Sequence, residues 1–255
     1  MSPRGYITRR AGRTSVRKRL ALGGAVAAVT VGALLVVQNS FAATIPSRAK
    51  ATAAGCPAVQ IFVTRASTEA PGTGIIGSLA TAVTRGSTQK IAVEATDYPA
   101  LLNPYQPSVA AGTRALTEQL TGEVAACPGT KIVMMGYSQG AHVIGDVLAG
   151  TGRAAGFTRF AAVSTAITDH VAAVVLMGDP RFVPGKSFNA GTSRTKGLFA
   201  RGAANSLDAF AARTRSFCDT GDTFCASGAS IAVHLSYTRK YNAVASKFVL
   251  SQIGG

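Results

Sequence analysis

Apolar runs that alternate with helical segments constrain the fold of this 255-residue chain more than any other feature. The runs are nearly continuous in hydrophobicity, which is typical of a sheet covered on both faces. They lie at residues 59–64, 90–95, 131–135, 171–177 and 213–217. Segments of helical composition lie at residues 74–86, 110–126, 139–149, 158–168 and 235–252. This order predicts a single-domain α/β fold, a three-layer sandwich around a mostly parallel sheet of about five strands.

The N-terminal segment, residues 1–42, has the three parts of a secretory signal peptide. Seven basic residues fall within the first nineteen positions, an uncharged apolar run follows at residues 20–37, and small residues flank the phenylalanine of 40–42. We therefore predict a secreted or cell-wall-associated protein, with residues 43–55 as a short linker and 56–255 as the folded domain. An apolar run of 18 residues is also at the lower limit for a membrane span, so an uncleaved N-terminal anchor is the alternative.

The charge of the chain does not indicate nucleic acid as a partner. The net charge is +15, but it falls to +8 when the seven basic residues of the leader are left out. The remaining basic residues are scattered, without a run of five and without interleaved aromatic residues, which favours a solvated surface. Because no heptad pattern or second hydrophobic repeat is present, we also predict a monomer.

The four cysteines predict two disulfides, because their number is even and all of them lie in the exported part. Cys56 and Cys127 each precede an apolar run closely, so parallel neighbouring strands would bring them to the same end of the sheet. Cys218 and Cys225 then pair across six residues. The cysteines form no CxxC pair and the three histidines are scattered, so we expect no metal site and no cofactor.

The motif Gly136-Tyr137-Ser138-Gln139-Gly140 follows an apolar run directly and opens a helical segment. In this strand–turn–helix setting, G-x-S-x-G places a serine on a tight, strained turn whose glycines leave room for neighbouring chain. The first N–H groups of the helix would lie where an oxyanion forms. The motif therefore predicts a nucleophilic serine at position 138.

Three histidines could serve as the base for this serine. His142 lies one helical turn after Ser138, on the helix that leaves the turn. His170 directly precedes a predicted strand, whereas sites in open α/β sheets lie at the carboxyl ends of strands. His234 follows the last predicted strand, in a loop before the C-terminal helix, and can return to the serine. Elimination and geometry therefore favour His234.

The residues alone leave the carboxylate partner open. The chain order Ser…Asp/Glu…His admits Asp179, which follows the strand at 171–177, and both Asp219 and Asp222, which lie inside the predicted Cys218–Cys225 ring. A disulfide-closed loop would hold a carboxylate rigidly, which favours Asp222. For Asp179 the alternative is an ordinary turn-forming aspartate before a proline.

Three motifs resemble the cutinase family: GYSQG after an apolar strand, CDTGDTFC ahead of the last histidine, and RASTE at 65–69. The resemblance covers roughly residues 55–250. It implies an α/β-hydrolase fold, and it assigns Ser138 as the nucleophile, Asp222 as the acid and His234 as the base. The chain that follows the predicted signal peptide is too short for a separate lid domain, so we expect none. The family's two disulfides match the pairing inferred above.

The resemblance also implies an oxyanion hole formed by Ser67 and the backbone N–H of Gln139. Ala66 stands where the family commonly has glycine, a departure that reduces backbone freedom beside the hole. For Tyr137 and Glu69 the sequence favours structural roles, as packing at the turn and as a salt-bridged surface.

These features together predict a secreted serine esterase that cleaves carboxylic esters, such as a cutin-like polyester with short to medium acyl chains. We expect an ester substrate, polymeric or lipid-like, as the only binding partner. Membrane contact is expected only if the N-terminal segment, residues 1–42, stays uncleaved. The alternatives are a deacetylase of the acetylxylan type and a non-catalytic binding protein of the cell surface.

Overall fold

The computed structural model describes residues 55–254, and the structural statements that follow concern this part of the chain. The predicted signal peptide at 1–42 and all but the last residue of the predicted linker at 43–55 lie outside the described residues. Within 55–254, no helix combines the length and the apolar character needed to cross a membrane.

Six parallel strands form one sheet in the order β2-β1-β3-β4-β6-β5. The strands are β1 (Val59–Thr64), β2 (Ile91–Ala95), β3 (Lys131–Tyr137), β4 (Val171–Met177), β5 (Asn189–Ala190) and β6 (Thr214–Phe217). The chain first adds β2 on one side of β1 and then crosses to add β3 on the other side. The carboxyl ends of β1 and β3 therefore meet at a topological switch point, where open α/β sheets bind their ligands.

Helices cover both faces of the sheet, as the fully buried central strands require. They are α1 (Gly77–Gly86), α2 (Tyr105–Ala126), α3 (Gln139–Ala149), α4 (Thr165–Thr168), α5 (Ile231–His234) and α6 (Tyr237–Ile253). Helices α1 and α6 pack on one face, and α2 and α3 pack on the other. The predicted three-layer α/β sandwich is thus confirmed.

Alternation along the strands separates two apolar layers. In β1, Ile61 and Val63 contact the layer beneath α1 and α6, whereas Phe62 between them contacts the layer beneath α2 and α3. Successive side chains of a strand point to opposite faces, so a run of apolar residues supplies both layers at once. This explains why the central strands are continuously hydrophobic in sequence.

Three elements differ from the sequence-based prediction. Strand β5 is a sixth strand of only two residues, inside a polar stretch that carries no strand pattern. Of the helix predicted at 158–168 only α4 forms, because the preceding backbone bonds across the end of α3, with the N–H of Val163 donating to the Val147 carbonyl at 2.9 Å. His234 lies at the end of helix α5, not in a loop, and the side chain of Ser230 caps that helix.

Candidate active site

Ser138 occupies the turn between the end of β3 and the start of α3. Its backbone has φ 52° and ψ −116°, a conformation that L-residues rarely adopt and that typically stores strain at a functional site. The Ser138 N–H donates to the carbonyl of Met177 in β4 at 2.8 Å, which holds the turn against the neighbouring strand. The serine is thereby fixed at the carboxyl edge of the sheet, beside the switch point.

The two glycines of the motif are required by close backbone contacts. A Cβ on Gly140 would lie 1.9 Å from the carbonyl oxygen of Thr64, at the end of β1. A Cβ on Gly136 would lie 2.7 Å from the backbone of Gly140 and of Ala141. No side chain fits at either position, because the obstacle is backbone that cannot move aside. The turn therefore brings α3 directly against the end of β1.

His234 is held from three directions. Its Nδ1 lies 2.8 Å from Oδ2 of Asp222, and its backbone carbonyl accepts a hydrogen bond from the Tyr137 hydroxyl. The ring of Phe224 packs against the imidazole with 4.5 Å between centroids. These contacts fix the ring and leave Nε2 as the nitrogen that can serve the serine.

Asp222 is fully buried and accepts four hydrogen bonds. Oδ1 accepts the N–H groups of Phe224 and Cys225 at 2.7 and 2.9 Å, and Oδ2 accepts from Tyr237 as well as from His234. Burial alone would raise the pKa of this carboxyl, but the bonds with His234, Cys225 and Tyr237 hold the pKa below its usual value. Asp222 is therefore a carboxylate at neutral pH.

The two other aspartates that the sequence left open have different partners. Asp179 accepts the N–H of the residue two positions ahead at 2.8 Å, which is the turn-forming role. Asp219 shares the disulfide ring with Asp222, but its carboxylate binds the Lys240 ammonium at 2.7 Å. In the part of the chain that the structure describes, Asp222 is the aspartate that bonds His234.

The remaining histidines lie away from the serine's cleft. His142 is fully buried on α3, where its ring nitrogens contact the Tyr105 hydroxyl at 3.1 Å and Asp146 at 3.4 Å, and burial lowers its pKa. His170 lies at the amino-terminal edge of the sheet, as its position before β4 predicts, with Nδ1 3.3 Å from the Thr130 carbonyl.

Ser67 and Gln139 lie next to the turn that carries Ser138. The Ser67 hydroxyl is buried and has no hydrogen-bond partner among residues 55–254. The side chain of Gln139 is fixed, because its Oε1 accepts from the Ser108 hydroxyl at 2.9 Å and its Nε2 donates to the Leu101 carbonyl at 2.8 Å. An unsatisfied hydroxyl beside the first turn of a helix is suited to an oxyanion.

Glu69 organises the loop that carries Ser67. Its carboxylate accepts the N–H groups of Ala66 at 2.6 Å and of Ile75 at 2.7 Å, while Arg65 donates to its backbone carbonyl at 3.0 Å. The sequence favoured a salt-bridged surface for Glu69, and this interpretation is wrong: the carboxylate bonds to backbone N–H groups, and no ion pair of Glu69 occurs within 55–254.

Both predicted disulfides are present. Cys56 and Cys127 join the segments that lead into β1 and β3, with 5.7 Å between their Cα atoms. Cys218 and Cys225 close a ring of eight residues, with 5.9 Å between their Cα atoms. This second disulfide constrains the segment from which Asp222 reaches His234.

A cleft of about 540 Å³ contains Ser138, Ser67 and His234 on its wall. Most of the other lining side chains are aliphatic or aromatic, and they include Ile75, Leu102, Tyr105, Leu198, Phe199, Phe224, Ile231 and Leu235. Five of these apolar residues are also exposed at the rim: Ile75, Leu102, Leu198, Ile231 and Leu235. No hydrogen bond joins Ser138 to His234 within the described residues, which is common before substrate is bound.

Comparison with known proteins places this architecture in a family. The sequence model described as Cutinase matches residues 55–253. Acetylxylan esterase 2 of Talaromyces purpureogenus is 35% identical over 225 residues, which cover 84% of this chain and 94% of the relative. Cutinase 11 of Verticillium dahliae is 33% identical over 210 residues, which cover 78% of this chain and 70% of the relative.

Solved structures show the same relationship. The catalytic core domain of acetyl xylan esterase from Trichoderma reesei superposes with a TM-score of 0.73 at 32% sequence identity. The superposition covers 77% of this chain and 99% of that domain.

Proposed function

Because this chain belongs to the cutinase family and is a carboxylic ester hydrolase, we propose that it cleaves its substrate through Ser138, His234 and Asp222. The observation that carries the assignment is the Nδ1–Oδ2 contact of 2.8 Å between His234 and the buried Asp222. His234 lies on the wall of the cleft that also contains a serine in a strained turn. Nucleophile, base and orienting acid are the three parts that acyl transfer to a serine requires.

In the first half-reaction, His234 Nε2 takes the proton of the Ser138 hydroxyl while the oxygen attacks the ester carbonyl carbon. The tetrahedral intermediate collapses by breaking the bond to the alcohol, which leaves with the proton from the imidazolium. Water then attacks the acyl-enzyme with the same base and releases the acid. Throughout, Asp222 stays ionised, keeps the proton of the neutral imidazole on Nδ1 and stabilises the imidazolium.

The negative charge that forms on the carbonyl oxygen needs donors already in place. We assign this role to the backbone N–H of Gln139 at the start of α3 and to Ser67, through its N–H and its hydroxyl. The buried Ser67 hydroxyl has no protein partner in the described part of the chain, so it can donate without breaking an existing bond. Donors that are fixed before reaction stabilise the transition state without reorganisation.

The cleft favours an aliphatic acyl chain over an acetyl group. Its wall is mostly apolar, and aliphatic side chains continue from the wall to an exposed rim around the serine. Burying each methylene of a chain there gains about 0.8 kcal/mol, a gain that an acetyl ester cannot obtain. We therefore propose carboxylic esters with short to medium acyl chains, of the cutin-like polyester type, as substrates, with acetylated polysaccharide as the second candidate.

We also propose that the protein acts outside the cytoplasm, as a monomeric domain from residue 56 onward, after removal of residues 1–42. Two disulfides in a single small domain support an oxidising compartment.

The test is hydrolysis of p-nitrophenyl esters from C2 to C16 by the oxidised protein and by Ser138→Ala. Ser251→Ala, which removes an exposed hydroxyl on α6, is the matched control. We expect a maximum at C4–C8 that disappears in Ser138→Ala and is retained in Ser251→Ala. Activity in Ser138→Ala would refute the assignment, and a preference confined to C2 would favour the deacetylase. A folded wild type that is inert at every length would favour a binding protein.

A further inference from the structure

One tyrosine of the site has no role in the sequence-based assignment. Tyr237 begins α6, three residues after His234, and its side chain is fully buried. Its hydroxyl donates to Oδ2 of Asp222 at 2.7 Å. The same oxygen contacts Nδ1 of His234 at 2.8 Å, so the phenol touches the carboxylate at the atom that holds the imidazole.

The direction of this hydrogen bond follows from its partners. The N–H of Asp219 lies 2.9 Å from the hydroxyl of Tyr237 and can only donate, so the hydroxyl oxygen accepts there. Its single proton is then directed to Asp222, whose ionised carboxylate can only accept. The Sγ of Cys225, 3.2 Å away, belongs to the disulfide and has no proton to donate.

Tyr237 therefore connects three parts of the site. Its hydroxyl oxygen accepts from the backbone N–H of Asp219 in the disulfide ring, and its proton is donated to the carboxylate of Asp222. Because Tyr237 is the first residue of α6, both groups are thereby joined to the helix that follows His234. Burial raises the pKa of the phenol far above its usual value, so the hydroxyl remains a neutral donor wherever the enzyme is folded.

We propose that Tyr237 is a positioning residue that orients the carboxylate of Asp222 toward His234. Its hydrogen bond also reduces the basicity of Oδ2 of Asp222, the oxygen that contacts both Tyr237 and His234. This inference rests on the roles proposed for Asp222 and His234. Without the hydroxyl, the carboxylate loses one of its two donors at Oδ2 and is less restrained. Its undivided charge also stabilises the imidazolium more strongly, so the acid limb of kcat/KM is expected at higher pH.

The other charged and titratable side chains near this carboxylate have partners other than the Tyr237 hydroxyl. Asp219, the nearest second acid, is paired with Lys240 at 2.7 Å, and its carboxylate also accepts from the Tyr241 hydroxyl at 2.8 Å. The Tyr137 hydroxyl binds the carbonyl of His234 and does not reach Asp222. A change in the acid limb of kcat/KM is therefore attributable to Tyr237 itself.

Tyr241→Phe is a matched control for Tyr237→Phe. Tyr241 lies one helical turn further along α6, its ring stacks with that of Tyr237 at 6.1 Å between centroids, and its hydroxyl also binds an aspartate of the disulfide ring. That aspartate, Asp219, does not contact His234. Both substitutions remove one tyrosine hydroxyl from the same interface, but only one of them removes it from the shared oxygen.

The experiment compares kcat, KM and the pH dependence of kcat/KM for wild type and both variants, with rates normalised to serines titrated by p-nitrophenyl diethyl phosphate. For Tyr237→Phe we expect kcat to fall about tenfold with KM unchanged, because Tyr237 does not line the cleft. We expect the acid limb to move up by about half a pH unit. Tyr241→Phe should retain the wild-type kcat and acid limb.

Fluorotyrosine at position 237 gives a second measurement that does not depend on losing the hydroxyl. A fluorinated phenol is a stronger donor of the same shape, so the acid limb should move to lower pH, opposite to the shift in Tyr237→Phe. An acid limb that stays in place in both proteins would overturn the proposal, even if their thermal stability falls. So would equal losses of kcat in Tyr237→Phe and Tyr241→Phe.

The proposed function and this inference fail in different ways. Turnover by Ser138→Ala would refute the triad, and with it the role of Tyr237. Loss of turnover in Ser138→Ala together with a wild-type acid limb and kcat in Tyr237→Phe would refute only the positioning role.

Discussion

The imidazole of His234 occupies the space that a side chain at Gly178 would need. A Cβ built on Gly178 would lie 2.7 Å from Cε1 and 3.0 Å from Nδ1 of His234. Gly178 directly follows β4 and has φ 65°, a left-handed conformation that favours glycine. The imidazole of the proposed base therefore packs directly against the backbone at the end of β4.

Gly178→Ala is expected to lower kcat about 100-fold, because a methyl group there displaces the imidazole from its bond with Asp222. The measurement is kcat for a p-nitrophenyl ester, together with the free energy of unfolding. Gly185→Ala is the control: Gly185 has φ 79°, but nothing lies within 4 Å of its built Cβ. It should carry the backbone strain, about 1–2 kcal/mol, without loss of kcat. Equal activity in the two variants would contradict the role of Gly178.

The sequence predicted best those features that depend on neighbouring residues. The turn at Ser138 depends on local sequence, because a strand, two glycines and the start of a helix determine its conformation within a few positions. The choice among three aspartates was not local. It depends on where the disulfide ring places Asp222 relative to a helix twelve residues away, and without the family resemblance the residues left it open.

Two parts of the site carried no readable pattern. Tyr237 resembles any apolar residue at the start of an amphipathic helix, and its role depends on which oxygen its hydroxyl meets across the interface. Nothing in the sequence around Gly178 distinguishes it from an ordinary turn glycine, and its contact with His234 joins residues distant in sequence. The error at 158–168 has the same origin, since this segment bonds to the end of α3 and its composition alone suggested a helix.

The two disulfides should differ in what their removal costs: one loss should fall mainly on stability and the other mainly on activity. In the chain-entropy view a disulfide stabilises more when it closes a longer loop, about 4 kcal/mol for the loop closed by Cys56–Cys127 and about 2.5 kcal/mol for the ring closed by Cys218–Cys225. We expect the Cys56→Ser/Cys127→Ser protein to lose more stability but to retain kcat. The Cys218→Ser/Cys225→Ser protein should lose less stability but more kcat, because its ring positions Asp222.

Urea denaturation and ester hydrolysis, measured on the same two preparations, separate these effects. Each double variant is the control for the other, since both remove one disulfide from the same domain. If kcat fell in proportion to stability in both proteins, the ring would have no specific part in positioning Asp222.

Asp146, on α3, is the centre of a buried charge cluster. Its Oδ1 accepts from Arg181 Nη1 at 2.6 Å and from Arg201 Nη1 at 2.9 Å, and all three side chains are almost completely buried. Asp146→Asn leaves two buried guanidinium groups without a counter-charge and should reduce the free energy of unfolding by about 3–5 kcal/mol. Asp208→Asn removes an exposed pair with Lys186 and should cost less than about 1 kcal/mol. Similar losses in urea denaturation would contradict the buried role.

The cost of Asp146→Asn should also depend on pH. Burial alone would raise the pKa of Asp146, but the contact with His142 and the charges of Arg201 and Arg181 hold the pKa well below its usual value. A carboxyl with a depressed pKa contributes stability that is complete above its unfolded value, about 3.9, and is lost as the pH falls toward the folded value. The difference in unfolding free energy between wild type and variant should therefore be constant near neutral pH and shrink below about pH 4. A difference that grew on acidification would refute this.

Glu69 offers a test of the loop that carries the proposed oxyanion donor Ser67. Glu69→Ala removes the acceptor for the N–H groups of Ala66 and Ile75, so the loop is expected to lose its fixed position beside Ser138. Because the donors act on charge that develops in the transition state, kcat should fall about 10- to 100-fold while KM changes little. The measurement is kcat and KM for a C4 ester, with Glu118→Ala on the exposed side of α2 as the control. A rise in KM at constant kcat would instead mean that the loop binds the ground state of the substrate, and would exclude a role for it in stabilising the oxyanion.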